Sequence, residues 1–406
     1  MLRGIFVSFL YLFVSTVDAN ILQDAIDRAP AGSILKLPNG VYKGSIHIDK
    51  ALSIIGEGEN VVIDGENKGT VITSKGPYVT LKNLTIINSG DRHEKVDAAI
   101  SMSDASQCEI SHCVIKNCLF GIDLQMVHNS IIANNQITSK DLELGLRGDG
   151  LRLWYSNDNI VKANSLIKSR DMVVWYSHGN QIVENYGRNN RYSLHFMYAG
   201  KNIIKNNRYE LNSVGIFFMY SQDSIAIGNI VKSSQGATGM GIGLKDVSNF
   251  TIKDNTVIYC AQGMYIDRSP FEPDTHNWIE GNKILYNAEA MHFHSISEHN
   301  VIKENIIMGN IEDIVNDSRG SKTNENEIAG NYWDKYEGFD KNKDGIGDTP
   351  HKVYQYADQL WVYNSDVKFF YGSPVISLLN FLAKLAPFTK PLFLMEDPKP
   401  KISKAI

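Results

Sequence analysis

The sequence predicts an all-β stacked solenoid of parallel strands, and three observations predict it. A segment of the form Asn-Ile/Val-x-x-Asn recurs from Asn159 to Asn326 at steps of 21 to 28 residues, the fixed period of a stacked repeat. Each copy opens with a second strand-like segment, such as "GLRLWY", "DMVVWY", "SLHFMY" and "GIFFMY", whose apolar residues alternate with period two. The segments are too short and too rich in β-branched residues to be helical repeats. Together they predict about ten coils of about 22 residues.

Taken in order, residues 1–19 read as a secretory signal peptide. Arg3 gives a positive start, Ile5–Val14 an apolar run too short for a comfortable membrane span, and Val17-Asp18-Ala19 a small-residue cleavage site. The protein is therefore expected to be exported. Asn20 is the expected N-cap of an amphipathic helix running to about Arg28, which would cover the first coil and its unpaired edges. A strand at Ile34–Leu37 and a Pro-Asn-Gly turn follow.

The solenoid itself is expected over residues 20–331. Alternation places Leu151, Met172, Leu194, Ile216, Ile242, Met264 and Met291 in one inward column. Leu153, Val174, Phe196, Phe218, Leu244, Ile266 and Phe293 form a second. Stacked asparagines at the corners can pass hydrogen bonds from coil to coil. Cys108, Cys113, Cys118 and Cys260 occupy ladder positions, and the C-x4-C-x4-C spacing of the first three matches no common zinc pattern, so all four are expected to be small buried residues.

Residues 332–406 form a C-terminal extension: a polar Asp/Gly loop, an aromatic stretch "VYQYADQLWVY", an amphipathic helix between Pro374 and Pro387, and a Pro-rich tail. Leu378, Leu379, Phe381, Leu382 and Leu385 make the apolar face of that helix, suited to capping the solenoid or docking on a partner.

Charge narrows the function. A formal net charge of −5 and the lack of a polybasic tract give no basis for binding nucleic acid or anionic lipid. Carbohydrate chemistry, as a polysaccharide lyase or epimerase on uronate polymers, would need clustered acid–base groups. The nearest candidates are Asp267-Arg268 and Glu298, and no Asp-Asp pair occurs. The outward positions are more distinctive. His195 and Met197 lie two residues apart on one face, with Met219 one coil away, a soft donor set suited to Cu(I). His292 and His294 form a second such pair. Trp154, Trp175, Tyr198 and Tyr220 fall on the same outer stripe, whose alternative use is burial against a partner. Asp340, Asn342, Asp344 and Asp348 follow the start of a calcium loop, but His351 stands where the bidentate Glu belongs, leaving a weak Ca2+ site or a hydrogen-bonded turn.

The run "NYWDKYEGFDKNKDGIGDTPH", then "SPVISLLNFLAKLAPF" and "MEDPKP", resembles the NosD family of periplasmic nitrous oxide reductase maturation proteins. The N-terminal "LQDAIDRAPAGSILKLPNGVYKG" and the repeats are similar as well, so the likeness covers essentially the mature chain; His351 replaces the usual Tyr after Thr349-Pro350. The resemblance implies a right-handed parallel β-helix and a non-catalytic role beside an ABC transporter, with NosF as ATPase and NosY as membrane subunit. It further implies copper supply to the copper–sulfur centre of the reductase NosZ, with a copper chaperone, NosL, upstream. It assigns no individual copper ligands.

Overall fold

In a computed structural model, the described residues are 16–236, 238–317, 325–355, 370, 373–385 and 392–403. Most of the expected leader and of the aromatic stretch lies outside them. The chain divides into two compact units, Met1–Ile225 and Ala226–Ile406. Each is a stack of short parallel strands arranged in three sheets.

Helix α1 (Ala19–Arg28) opens the first unit. It begins one residue before the expected N-cap because Thr16–Asp18 is already held extended, paired in register with Val41–Lys43. Leu22 and Ile26 are buried, and Gln23 clamps the free edge of the first coil: its Oε1 accepts from His47 N–H at 2.7 Å and its Nε2 donates to His47 C=O at 3.0 Å. The helix thus saturates an edge that would otherwise offer itself for further pairing.

Coils in this unit carry three strands each rather than the two the repeat suggests. One coil contributes Leu151–Trp154, Ile160–Lys162 and Ser165–Ile167; the next contributes Asp171–Trp175, Gln181–Val183 and Tyr186–Arg188. The third strand is hard to see in sequence because its one inward position varies from coil to coil, Leu166, Gly187 and then Tyr209. Both inward columns are buried as alternation requires. Eight strands from Ser33–Leu37 to Ile203–Lys205 mark eight coils here, and five from Ile230–Lys232 to Tyr332–Trp333 mark the coils of the second unit. The count exceeds about ten because early coils use Cys, Ser and Leu where later ones use Asn, which hides them from a search on asparagine.

Corner asparagines make the ladders. In the first unit Asn135 Nδ2 donates to Asn164 Oδ1 at 2.9 Å, Asn164 to Asn185 at 3.0 Å and Asn185 to Asn207 at 3.0 Å. Each Oδ1 also accepts the backbone N–H of the preceding rung, as Asn185 does from Asn164 at 2.9 Å. The residue before each rung is left-handed: Asn134, Ala163, Glu184 and Asn206 have φ of 53 to 57°. Non-glycine residues there carry strain of order 1 kcal/mol or more, which the fully used amide of the rung offsets. Cys113 takes the same place, its N–H donating to Asn135 Oδ1 at 2.9 Å, and all four cysteines are buried free thiols. In the second unit Asn229, Asn255, Asn282, Asn305 and Asn331 repeat the ladder.

The end of that second ladder corrects one expectation. Helix α2 (Pro374–Leu385) does not cap the solenoid with its apolar face: Leu378, Leu379, Phe381, Leu382 and Leu385 are 43 to 66% exposed. The strand Leu392–Asp397, antiparallel to His351–Gln355, takes that role and buries Leu394 and Met395. Its Asp397, 1% exposed, accepts from Asn331 N–H at 2.9 Å, Asn331 Nδ2 at 3.0 Å and Trp333 Nε1 at 3.0 Å. A carboxylate accepts without donating, so it ends a ladder that another asparagine would have to continue.

Candidate functional site

The outer face of the first unit is built by strands Leu151–Trp154, Asp171–Trp175, Tyr192–Met197 and Val214–Met219, stacked in parallel. Register places His195 opposite Val173 and Phe217, and Met197 opposite Trp175 and Met219. These side chains point away from the solenoid interior, as alternation requires, yet His195 is only 7% exposed. Sequence reasoning puts it on an open wall; in the structure its neighbours roof it. Tyr192 stacks on the imidazole at 4.7 Å, and Trp175 and Phe217 meet it edge-on at 5.7 and 6.4 Å.

An ion pair between the buried Asp171 and the partly exposed Arg191 holds that roof. Asp171 accepts from Arg191 Nε at 3.0 Å and from Tyr192 N–H at 3.1 Å, and the Arg191 guanidinium lies 5.1 Å from the Tyr192 ring. The carboxylate is buried, so breaking the pair would strand a charge.

His195 Nε2 lies 3.4 Å from Met219 Sδ, while buried Nδ1 finds no hydrogen-bond partner. Burial pushes the imidazole pKa down to about 4; Asp171 opposes the shift and Arg191 adds to it. The ring is therefore neutral at ordinary pH and has a lone pair to give. A nitrogen and a sulfur 3.4 Å apart fit two ligands of one first-row ion, whose bonds to them are roughly 2.0 and 2.3 Å. Met197, half-buried, lies one coil before Met219 on the same column and brings a second thioether to this face. Such donors favour Cu(I) over harder ions.

Beside this set runs an aromatic edge. Tyr155, Tyr176, Tyr198 and Tyr220 stack at 4.9, 5.1 and 4.9 Å, all with left-handed φ of 48 to 51°. Trp154 and Trp175 pack at 5.5 Å next to them. Tyr155 and Tyr176 extend the expected pair to four; the recurring "WY" and "MY" ends of the strands carry that signal.

In the second unit, strand Glu289–His294 brings His292 and His294 to one face. Two further residues join them that the motif search missed. Asp317 Oδ1 lies 2.7 Å from His294 Nδ1 and Oδ2 lies 3.1 Å from His292 Nε2, while Glu289 Oε2 lies 2.6 Å from His292 Nδ1. Although burial opposes it, the hydrogen bonds His292 donates to Asp317 and Glu289 raise its pKa to about 9, and against desolvation the bonds from His292 and His294 lower Asp317 to about 2. Unlike His195, His292 has both ring nitrogens engaged. Asp317 follows His294 by 23 residues, one repeat, so register alone would have found it.

The expected Asp267-Arg268 pair does not form as a catalytic pair: Asp267 accepts from Lys245 at 2.6 Å, and Arg268 bonds Asp246 one coil back. Glu298 is brought near His299 and Glu325 instead. In the Asp340–Asp348 loop, Asp340 accepts backbone N–H bonds from Asp344 at 3.1 Å and Gly345 at 2.9 Å, Asp344 accepts from Ile346 at 2.8 Å, and Asp348 accepts from Lys341 at 2.7 Å. Asn342 Nδ2 donates to Asp344 at 3.0 Å. All these bonds lie within the loop itself. Among the described residues, no helix is long and apolar enough to cross a membrane.

Comparison with known proteins places these features. Residues 134–338 match the family model described as "Periplasmic copper-binding protein (NosD)", and residues 54–166 match a right-handed β-helix model. A protein of Pseudomonas aeruginosa named "Probable ABC transporter binding protein NosD" is 26% identical over an alignment of 427 positions, covering 95% of this chain and 92% of that one. A protein of the same name from Stutzerimonas stutzeri is 26% identical, covering 87% of this chain and 84% of its own. Among solved structures, the catalytic unit of an α-1,3-glucanase from Streptomyces thermodiastaticus superposes with a TM-score of 0.60 at 13% identity, over 81% of this chain and 68% of that one. The A-module of the mannuronan epimerase AlgE6 from Azotobacter vinelandii gives 0.53 at 16% identity, over 78% and 90%. At such identities the structural likeness shows the fold alone. With half its length matched by the family model and two relatives aligned over most of it, this chain belongs to the NosD family.

Proposed function

We propose that this protein is the exported, non-catalytic component of an ABC transporter system that handles Cu(I) for assembly of the copper centre of nitrous oxide reductase. The observation that carries the reading is the buried, neutral His195 with Nε2 3.4 Å from Met219 Sδ, beside Met197. Family membership supports copper, and the names of the relatives support the transporter. The leader at residues 1–19 would direct export, and its removal would take the strand Thr16–Asp18 with it.

On this reading a copper chaperone, NosL, delivers the ion to the Met–His set, and the aromatic edge of Trp154, Trp175, Tyr198 and Tyr220 forms the docking surface around it. NosF and NosY supply ATP-driven movement and membrane attachment, with the exposed apolar face of α2 as the contact. NosZ is the recipient. Asp171 and Arg191 position the site by holding Tyr192 over the imidazole, so ion entry requires the roof to open. No step calls for acid–base catalysis, in keeping with relatives named as binding proteins.

The test is complementation of a strain lacking this gene with the Met197→Leu/Met219→Leu variant, followed by the absorption spectrum of the purified reductase. The proposal expects reductase deficient in its copper–sulfur centre. A reductase with wild-type spectrum and copper content would refute the copper-handling role.

A further inference from the structure

We propose that the second unit carries a site for a borderline divalent transition-metal ion, typified by Zn2+, made by His292, His294 and Asp317 and oriented by Glu289. The site goes beyond the copper reading: its donors are nitrogen and oxygen, and it needs neither methionine.

Its geometry begins with the strand. His292 and His294 stand two apart, so both imidazoles project from one face. The next coil pairs in register, His292 with Val315 and Phe293 with Asn316, which brings Asp317 level with His294. The ligating atoms of all three residues lie within 4.8 Å of one another.

Orientation supplies the stronger argument. Glu289 Oε2 takes the Nδ1 side of His292 at 2.6 Å, leaving Nε2 aimed at Asp317 Oδ2 at 3.1 Å. Without a metal a proton bridges that contact, and a divalent cation would take the proton's place. A carboxylate bonded to the far nitrogen of a ligating histidine is the usual way such a ring is fixed and made more basic. Gln262 Nε2 donates to Glu289 at 3.0 Å and holds that carboxylate in turn. Two ligand atoms about 3 Å apart suit neighbouring positions on an ion with bonds of roughly 2.0 Å.

The surroundings agree. One coil earlier the level of His294 is taken by Asp267, whose charge Lys245 neutralises at 2.6 Å. Among the described residues no lysine or arginine pairs with Asp317. Tyr265 flanks both rings, at 5.5 and 6.1 Å, and walls one side. His294 and Asp317 remain partly open to solvent, so an ion can enter and keep a water or a partner's ligand in its remaining position. Two imidazoles and a carboxylate select zinc-like ions over calcium or magnesium.

The test uses the purified full chain, stripped with chelator and titrated with Zn2+ against a chromophoric competitor. The expected result is binding of about one Zn2+ per chain that Ca2+ does not displace, weakened about tenfold or more by His294→Gln and by Asp317→Asn. The Met197→Leu/Met219→Leu variant should bind Zn2+ as the wild type does, which separates failure of this site from failure of the copper site. His294 and Asp317 are partly exposed, so both variants should keep the wild-type circular dichroism and melting profile. Absent Zn2+ binding, displacement by Ca2+, or unchanged affinity in the folded His294→Gln/Asp317→Asn double variant would overturn the proposal.

Discussion

Asp397→Ala should unfasten the last coil of the second unit without unfolding the rest. The carboxylate accepts from Asn331 N–H, Asn331 Nδ2 and Trp333 Nε1 on one oxygen, and from Gly330 N–H at 3.1 Å and Lys399 N–H at 3.0 Å on the other. Asn331 and Trp333 are buried, so three of these donors would be left in the interior. Each orphaned donor costs about 1–3 kcal/mol. Water entering the vacated space would recover part, giving a net loss of about 3–5 kcal/mol. Because solenoid coils contact only their neighbours, the loss should stay local. The assay is amide hydrogen exchange, and about 3 kcal/mol corresponds to exchange roughly 100-fold faster. The predicted sites are Asn331, whose N–H Asp397 holds directly, and Asn305, whose N–H donates to Asn331 Oδ1 at 3.0 Å. Asp397→Asn should fall between, since its amide keeps an acceptor but points hydrogens at donors. Exchange within about threefold of wild type at these amides in Asp397→Ala would refute the reasoning.

Two further outcomes follow from buried groups. Burial raises the pKa of Cys113 and Cys118 to about 12 and also raises those of Cys108 and Cys260, so no thiol should alkylate in the folded protein at pH 8 and all four should in urea; rapid native labelling would show an exposed or activated cysteine. His195 has a folded pKa of about 4 against an ordinary 6.5, so it favours the fold above 6.5 and that contribution disappears as pH falls to 4, a change of about 3 kcal/mol. Asp313, raised to about 6 because burial outweighs Lys335, has the opposite sign: its ionisation costs stability as pH rises from the unfolded value of 3.8 through 6. Urea unfolding of His195→Gln and Asp313→Asn across pH 4 to 7 should therefore give difference curves against wild type that slope in opposite directions; curves of the same slope would contradict the burial argument.

The repeat was legible because alternation and the asparagine corners are local properties. A six-residue strand such as Tyr192–Met197 announces which side chains face inward, and Phe196 and Phe218 are buried where period two puts them. The third strand of each coil was not legible, since its single inward residue changes from Leu166 to Gly187 to Tyr209 over three coils. Neither was the roof over His195, because an outward side chain is buried by neighbours one coil away rather than by its own pattern. Asp171 acts across that step, holding Arg191 and the N–H of Tyr192, which stacks on the imidazole from the same strand. Asp317 and Asp397 were missed for a related reason: each is defined by register with another coil or with the C-terminal strand, and no motif in its own segment marks it. The helix α2 was correctly placed in sequence but its role was not, because the apolar face says that something covers it without saying what.

The most direct test of the copper reading is titration of the purified, metal-free chain with Cu(I) under anaerobic reducing conditions against a chromophoric Cu(I) chelator. The account predicts about one tightly held Cu(I) per chain, with affinity lowered on the order of 100-fold in Met197→Leu/Met219→Leu and in His195→Gln. Unchanged affinity in those variants, or no Cu(I) taken up at all, would contradict it.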